Sequence, residues 1–429
     1  MAALPARALA AVVRSVVKRR ALWFAAFVAL AAAAQARTEV AVLGFVAARG
    51  TLADAPQSWT DNALGRLLDG DGDGEFSAGL GLEARVLIEA NSGLEWSAKL
   101  HLGARLDNNS VGRKLGVIEA FVERRWFGDG QRWQLRAGQF FLPVSRENIE
   151  ALWVNPYTLT HSALNSWVGE EIRPVGVDFS WRRELQSGAR LDLAATVFAQ
   201  NDSSGALLAW RGFAWHDRLS FYGETLPLAP LASLNDPAIF GDQNDSGTKP
   251  FGSDLDGRLG YALRARWSDD VRSWLLTAVD TRGDLGLHSG EYAWQTRLLL
   301  GGFDHNAAGQ GWGYAAEAMG GDSRMGVVGR PKAHIRFYTA YLLASYGDDP
   351  WRYSIRAEGF DIDDIDQTIA ENNEEQGWAI TLAALRYYGQ WRLGMEYLYI
   401  DGERPGASDV LLDRHTGGQQ LKFEVRYEF

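Results

Sequence analysis

Residues 94–107 alternate without a break. One face of this stretch carries Leu94, Trp96, Ala98, Leu100, Leu102, Ala104 and Leu106, and the other carries Glu95, Ser97, Lys99, His101, Gly103, Arg105 and Asp107. Such a two-residue period over more than ten residues is the signature of a β-strand whose faces meet different environments. Strands of a soluble sandwich are usually shorter and pack their apolar face on a second sheet. The pattern returns at Trp351–Glu358, at Trp391–Tyr399 and in the last eleven residues, where Leu421, Phe423, Val425, Tyr427 and Phe429 alternate with Lys422, Glu424, Arg426 and Glu428. Sixteen such segments are expected, near 38–52, 76–91, 94–107, 115–126, 132–141, 171–183, 189–200, 257–267, 272–281, 291–303, 310–319, 332–346, 351–360, 377–388, 390–400 and 419–429.

The connections alternate too. Short turns such as Asn91-Ser92-Gly93, Gly128-Asp129-Gly130 and Ser268-Asp269-Asp270 take turns with long polar excursions near 53–75, 107–115, 142–170, 201–256, 281–290, 320–331, 361–376 and 401–418. Short on one side and long on the other is the layout of a barrel in an outer membrane, with turns in the periplasm and loops outside. Closure removes exposed strand edges, which lipid does not tolerate. A strand of ten residues rises about 33 Å and, tilted near 45°, spans an apolar band of roughly 25 Å. The expected fold is therefore all-β, a sixteen-stranded antiparallel transmembrane barrel. The chain has no cysteine among 429 residues, which excludes a disulfide framework and a Cys-ligated zinc site. Its net charge of −11 argues against nucleic acid as a partner.

Residues 1–36 read as a signal peptide. Arg7, Arg14, Lys18, Arg19 and Arg20 precede the apolar run 21–34, and Ala34-Gln35-Ala36 offers a cleavage site. The run is shorter than the roughly 20 residues of a spanning helix. Without those five basic residues the chain keeps 38 basic and 54 acidic groups, a net of −16, and residues 37–429 form the barrel domain. Trp126, Trp133, Trp181, Trp267, Trp351, Trp378 and Trp391 fall at segment ends, where aromatic rings favour the membrane interface.

The terminal Phe429, with Tyr427 and Phe423 behind it, is similar to the C-terminal signature of outer-membrane barrels. Leu135-Arg136-Ala137-Gly138-Gln139-Phe140-Phe141-Leu142-Pro143 resembles the segment that enters the third loop of the phosphate-selective porins of Gram-negative bacteria; Ser145-Arg146-Glu147, Val168-Gly169-Glu170 and Pro174-Val175-Gly176-Val177 also fit. The motif covers about residues 115–180. The resemblance implies a homotrimer, an inward-folded third loop, and passive diffusion of small hydrophilic solutes, phosphate among them, at an outer membrane of lipid and lipopolysaccharide. This chain departs from the family in having six Lys, one of them in the leader.

Strand parity assigns seventeen basic and thirteen acidic groups to the polar faces, a wall of about +4. The expected pore-lining cations include Arg85, Lys99, Arg105, Arg136, Arg264, Arg266, Arg297, Arg336, Arg352, Arg356, Arg392, Lys422 and Arg426. They point to a mild anion preference, and pairing with acids on neighbouring strands would cancel it. The third loop should set the constriction with Arg146, Glu147, Glu150, Glu170, Trp153 and Tyr157; the rings either stack on sugars or pack the loop. Asp69, Asp71 and Asp73 open like a calcium loop, but Leu80 stands where the bidentate Glu belongs, so a plain Asp-Gly turn is expected, with no metal and no cofactor. A barrel enzyme would need a His near a nucleophile, and Thr160-His161-Ser162 is the one tempting neighbourhood. A general or sugar porin and an adhesin acting through the 201–256 loop are the remaining alternatives.

Overall fold

The computed structural model describes residues 38–429 apart from 108–111, 252–253, 328–329, 367, 369–370 and 412. The expected leader and its cleavage site lie outside the described residues. Sixteen strands close into one antiparallel barrel: β1 (Thr38–Asp54), β2 (Ser77–Ser92), β3 (Trp96–Leu106), β4 (Leu115–Gly128), β5 (Gln131–Gln139), β6 (Val175–Glu184), β7 (Arg190–Ala199), β8 (Gly260–Ser268), β9 (Arg272–Asp280), β10 (Gln295–His305), β11 (Gly311–Val327), β12 (Arg330–Asp348), β13 (Trp351–Asp364), β14 (Glu375–Tyr388), β15 (Trp391–Glu403) and β16 (Gly418–Glu428). Each strand pairs with its sequence neighbours, and β1 closes on β16 with Phe45 opposite Glu428 and Asp54 opposite Gln419.

The expected strands are all present, and the differences lie at their ends. Residues 171–174 are not yet strand, because a helix, α1 (Ala163–Glu171), precedes β6; the Ser162 hydroxyl caps it by accepting from the Asn165 amide at 3.2 Å. The excursion expected at 320–331 is mostly strand, since β11 and β12 run on to Val327 and from Arg330.

The outer surface is apolar. Val42, Leu82, Leu193, Leu263, Leu276, Leu342, Ile355 and Met395 are all exposed on it, far more apolar surface than a water-soluble wall carries. Aromatic belts bound it. At the turn end, Trp126, Trp133 and Trp181 lie in one row across β4–β6, Trp267 faces Trp274, and Trp391 packs on Tyr427 at 5.0 Å. At the loop end Trp378 packs on Tyr399 at 5.5 Å. The seven tryptophans expected in a girdle are on this outer face. Among the described residues no helix is long and apolar enough to cross a membrane; the strands form the wall.

Leu276 stands mid-wall on the outer face of β9. Leu276→Arg is expected to cost about 2–4 kcal/mol in a bilayer. Denaturant titration of protein folded into vesicles checks this, and unchanged stability would show that this face does not meet lipid.

Candidate functional site

A sixteen-stranded barrel is wide enough to leave an aqueous channel unless something other than its own side chains fills it. Here two loops fill it. Loop 3 (140–174) and the first part of loop 4 (200–259), including the short helix α2 (Ala206–Trp210), lie inside the wall, and every residue from Asn201 to Phe221 is buried. Helix α1 is buried on all sides, as a helix must be in the middle of a filled lumen.

The packing is that of a protein core. Trp210 meets Trp294 and Phe240 at 5.0 and 5.5 Å, Trp215 meets Phe360 at 5.0 Å, and Trp167 meets Phe337 at 5.5 Å. The wall is apolar on its inner face wherever it touches this plug, at Leu298 and Leu300 of β10, Ile335 and Phe337 of β12, Ile362 of β13 and Ile400 of β15. That explains two departures from strand parity. Arg297 and Arg336, expected in the lumen, face outward near the loop end; Arg297 donates to Asp280 at 3.0 Å on the neighbouring strand. Polarity is inverted there, because the inner face packs a plug.

The remaining expected cations do face inward, and most of them hold the loops. Arg85 donates to the carbonyls of Leu152 (3.2 Å) and Asp217 (2.9 Å). Arg105 donates to the Leu219 carbonyl at 3.0 Å and lies over the Phe221 ring. Arg352 binds the carbonyls of Ala307 and Ala308, in the turn before β11. Arg392 bridges Glu424 (2.7 Å) and the Asn155 carbonyl (3.0 Å), and Arg426 shares Glu424 at 3.0 Å. Lys422 meets Asp217 at 2.9 Å, as does Arg49 at 2.8 Å. Burial works to raise the Asp217 carboxyl, and those two cations overcome it, holding the group well below the usual carboxylate range.

Loop 3 is organised by Glu147. Its carboxylate accepts from Arg356 of β13, from the Ser162 hydroxyl (2.7 Å) and from the side-chain amides of Asn155 (2.8 Å) and Asn165 (2.9 Å). Arg356 also binds Glu358 at 2.7 Å, and neither Arg356 nor Glu147 has any exposed surface (0% for both side chains). Arg146 reaches Asp304 at 3.2 Å and the Ser273 hydroxyl at 3.0 Å. Glu170 pairs with Arg211 of loop 4 at 2.8 Å. Trp153 stacks on Phe141 at 4.4 Å, and Tyr157 is fully buried, so the rings pack the loop and form no exposed rail for sugars. Glu150 alone of the expected constriction residues is exposed, where the loop reaches the turn-end mouth; it lines a 450 Å³ cavity with Gly44, Gly389 and Phe429.

The Thr160-His161-Ser162 neighbourhood holds no aligned pair. Ser162 donates to Glu147, while the His161 ring stands edge-on to Trp153 at 5.1 Å. Asp69 accepts from the Thr51 hydroxyl at 2.6 Å and Asp71 from the Asp73 amide at 3.2 Å, the local hydrogen bond of an Asp-Gly turn.

Among the described residues, the inner face of β3–β8 stays partly open to water toward the turn end, as a vestibule. Lys99, Arg125, Arg136 and Arg182 are partly exposed there, Lys99 beside Glu89 at 3.3 Å and Arg136 beside Glu123 at 3.3 Å. Arg132 and Arg182 stand directly opposite one another in the β5–β6 register. Arg132, Arg190 and Arg266 have no carboxylate within ion-pair distance among the described residues; Arg266 donates to the Ser273 hydroxyl at 2.9 Å. The vestibule ends one inward rung deeper. Side-chain exposure is 33% at Arg182 and 5% at Arg264, which is bound to Asp178 at 2.6 Å.

Solved structures share this architecture. The outer membrane channel DcaP of Acinetobacter baumannii superposes with a TM-score of 0.51 at 10% identity, over 91% of this chain and 97% of that one. Salmonella typhi OmpF gives 0.51 at 9% identity over 91% and 97%, and Pseudomonas putida OprB 0.50 at 10% over 91% and 94%. The fold is a porin barrel. No protein-family model matches the chain, and no curated protein matches it in sequence.

Sequence parity does not bring out Asp217 and Arg211, which lie in a loop that reads as an outer excursion, nor Arg49 of β1, whose partner Asp217 is in that loop, nor Glu171, which falls where a strand is expected to begin. The loop 4 stretch Ala206-Leu207-Leu208-Ala209-Trp210, followed by Phe213-Ala214-Trp215, is too apolar for a solvated loop and was the available signal. Glu147→Ala takes from buried Arg356 one of its two carboxylates and leaves the Ser162, Asn155 and Asn165 donors without their acceptor, and is expected to cost about 3–5 kcal/mol. Chemical denaturation checks this, and unchanged stability would show that Glu147 does not organise the loop. Because the Asp217 carboxyl is depressed, the stability it lends is present above pH ~4 and lost as pH falls below that range. Trypsin should accordingly cut loop 4 faster at pH 3.5 than at pH 6 once rates are normalised to an unfolded standard.

Proposed function

We propose that this chain is an outer-membrane porin of a Gram-negative bacterium, exported by a signal peptide cleaved after Ala36, and that it passes small hydrophilic solutes with a preference for anions. The observation that carries the reading is an apolar wall between aromatic belts enclosing a charged interior. With long loops outside and short turns in the periplasm, lipid lies against the wall and lipopolysaccharide against the acidic loop end, where Asp361 and Asp363 stand beyond the Trp378–Tyr399 belt and Asp401 lies level with Trp378.

Anion preference rests on the vestibule. Three arginines without carboxylate partners, in a cup walled by low-dielectric protein, focus a positive potential toward the periplasm. The departure from phosphate-selective porins in lysine content leaves phosphate as one anion among several. Buried aromatics in loop 3 favour this reading over a sugar porin. A homotrimer fits the family that the loop-3 motif resembles.

The test is single-channel recording in a planar bilayer under a KCl gradient. A reversal potential on the chloride side is expected, with Arg132→Ala/Arg266→Ala shifting it toward potassium. A potassium-selective wild type would overturn the anion assignment. Absence of any conductance from pH 5 to 9 would overturn the porin reading.

A further inference from the structure

A filled barrel passes solutes only where chain and wall part, and two cavities mark one such line. On the loop side, a cavity of 70 Å³ lies between loop 4 and strands β16, β1 and β2, with Arg49, Thr51, Glu83, Arg105, Asp217 and Lys422 around it. That is room for a few waters. On the turn side, the 450 Å³ cavity beside Glu150 reaches Leu43 and Phe45 of β1 and Glu428 of β16. Both cavities lie on the β16–β1 pair.

Little separates them. Phe45, Ala47 and Arg49 follow one another on the inner face of β1, so the two cavities stand four residues, about 13 Å, apart. The closure is a buried apolar cluster of Phe45, Ala47, Leu87, Leu152 and Val154. None of the five belongs to the main core of the plug.

This cluster carries two marks of a part that moves. Leu152 and the following Trp153 both lie in the left-handed backbone region (φ 63° and 54°), which glycine alone enters freely. Their surroundings hold them there, since Arg85 binds the Leu152 carbonyl at 3.2 Å and Trp153 stacks on Phe141. The second mark is Arg426, 4.2 Å over the Phe45 ring, whose Nε and Nη1 are buried without hydrogen-bond partners. A closed cluster denies these donors water, and an open one admits it.

We propose that solutes cross along the β16–β1–β2 wall, and that Phe45 and Leu152 are the gate on this route. The route rests on the porin reading above and gives it a path. Shut, the apolar cluster excludes water and with it any ion. Return of Leu152 to the right-handed region turns its side chain off Phe45 and joins the two cavities. The loop-side approach is lined by both signs of charge, Arg49 and Lys422 against Glu83 and Asp217, so sign preference is left to the turn-end arginines.

The absence of cysteine makes the path directly readable. Ala47→Cys puts a thiol in the cluster and Ala209→Cys puts one in the plug on α2, both at positions with no exposed surface. Thr51→Cys, close in size to the native side chain and on the loop-side cavity, serves where Ala47→Cys fails to fold. Each variant is recorded in a planar bilayer before and after a charged methanethiosulfonate. Current through Ala47→Cys or Thr51→Cys should fall about fivefold and return when a reductant removes the adduct, while Ala209→Cys stays unaffected. Phe45→Ala/Leu152→Ala should raise conductance roughly twofold.

A current that labelling at neither Ala47→Cys nor Thr51→Cys reduces would overturn the route and leave the porin reading intact. Block at Ala209→Cys would place the path through the plug and overturn the route in the same way. Unchanged conductance in Phe45→Ala/Leu152→Ala would overturn these two residues as the gate. Current absent from the wild type and from every variant would overturn the porin reading, and the route with it.

Discussion

The width of a sixteen-stranded barrel is the constraint on which the rest depends. Side chains of opposite walls cannot meet across it, so the lumen holds either water or chain. This protein fills it with chain. Two loops supply a core of tryptophan, phenylalanine and leucine, and the barrel's inner face turns apolar where that core touches it. The molecule thus has an apolar exterior and a second apolar region inside, separated by a single layer of backbone.

Such filling leaves many buried cations, and each is stabilised only where charge or carbonyl dipoles surround it. Arg356 on Glu147 and Glu358, Arg392 on Glu424, and Arg49 with Lys422 on Asp217 meet that condition. The contacts also set the position of the loops. Arg85 and Arg105 take backbone carbonyls of one segment, residues 217–219, and fix its height along the wall. At the loop end, Glu375 gathers Arg66 and Arg404 from two other loops and receives the Phe213 amide at 2.9 Å. Ionic contacts anchor the plug at its margins, and apolar packing fills it between them.

Most of the fold was legible because the membrane imposes it. A two-residue period, aromatic segment ends and alternating turn lengths each report lipid on one side of a strand, and together they place sixteen strands within a few residues, apart from the end of β11, which runs eight residues further. The interior was less legible. Polar residues such as Arg356 and Arg392 were placed on the correct face, but a face does not say whether a residue meets water, a solute or a folded loop. At Arg297 and Arg336 the rule inverted, since Leu298 and Phe337 beside them pack on the plug. Loop 4 reads as a long excursion carrying Trp210, Trp215, Phe221 and Tyr222, rings that suit a lid or a grip on a neighbouring subunit equally well, and a linear pattern does not say that they turn into the lumen.

The central claim is that loop 4 belongs to the interior. Amide hydrogen exchange of the protein folded in vesicles at pH 6 measures this directly. Protection of residues 206–221 approaching that of the strands is the expected result. Exchange as fast as in the exposed loop segment 71–75 would contradict the account, and would return the wall arginines to an open, water-filled pore.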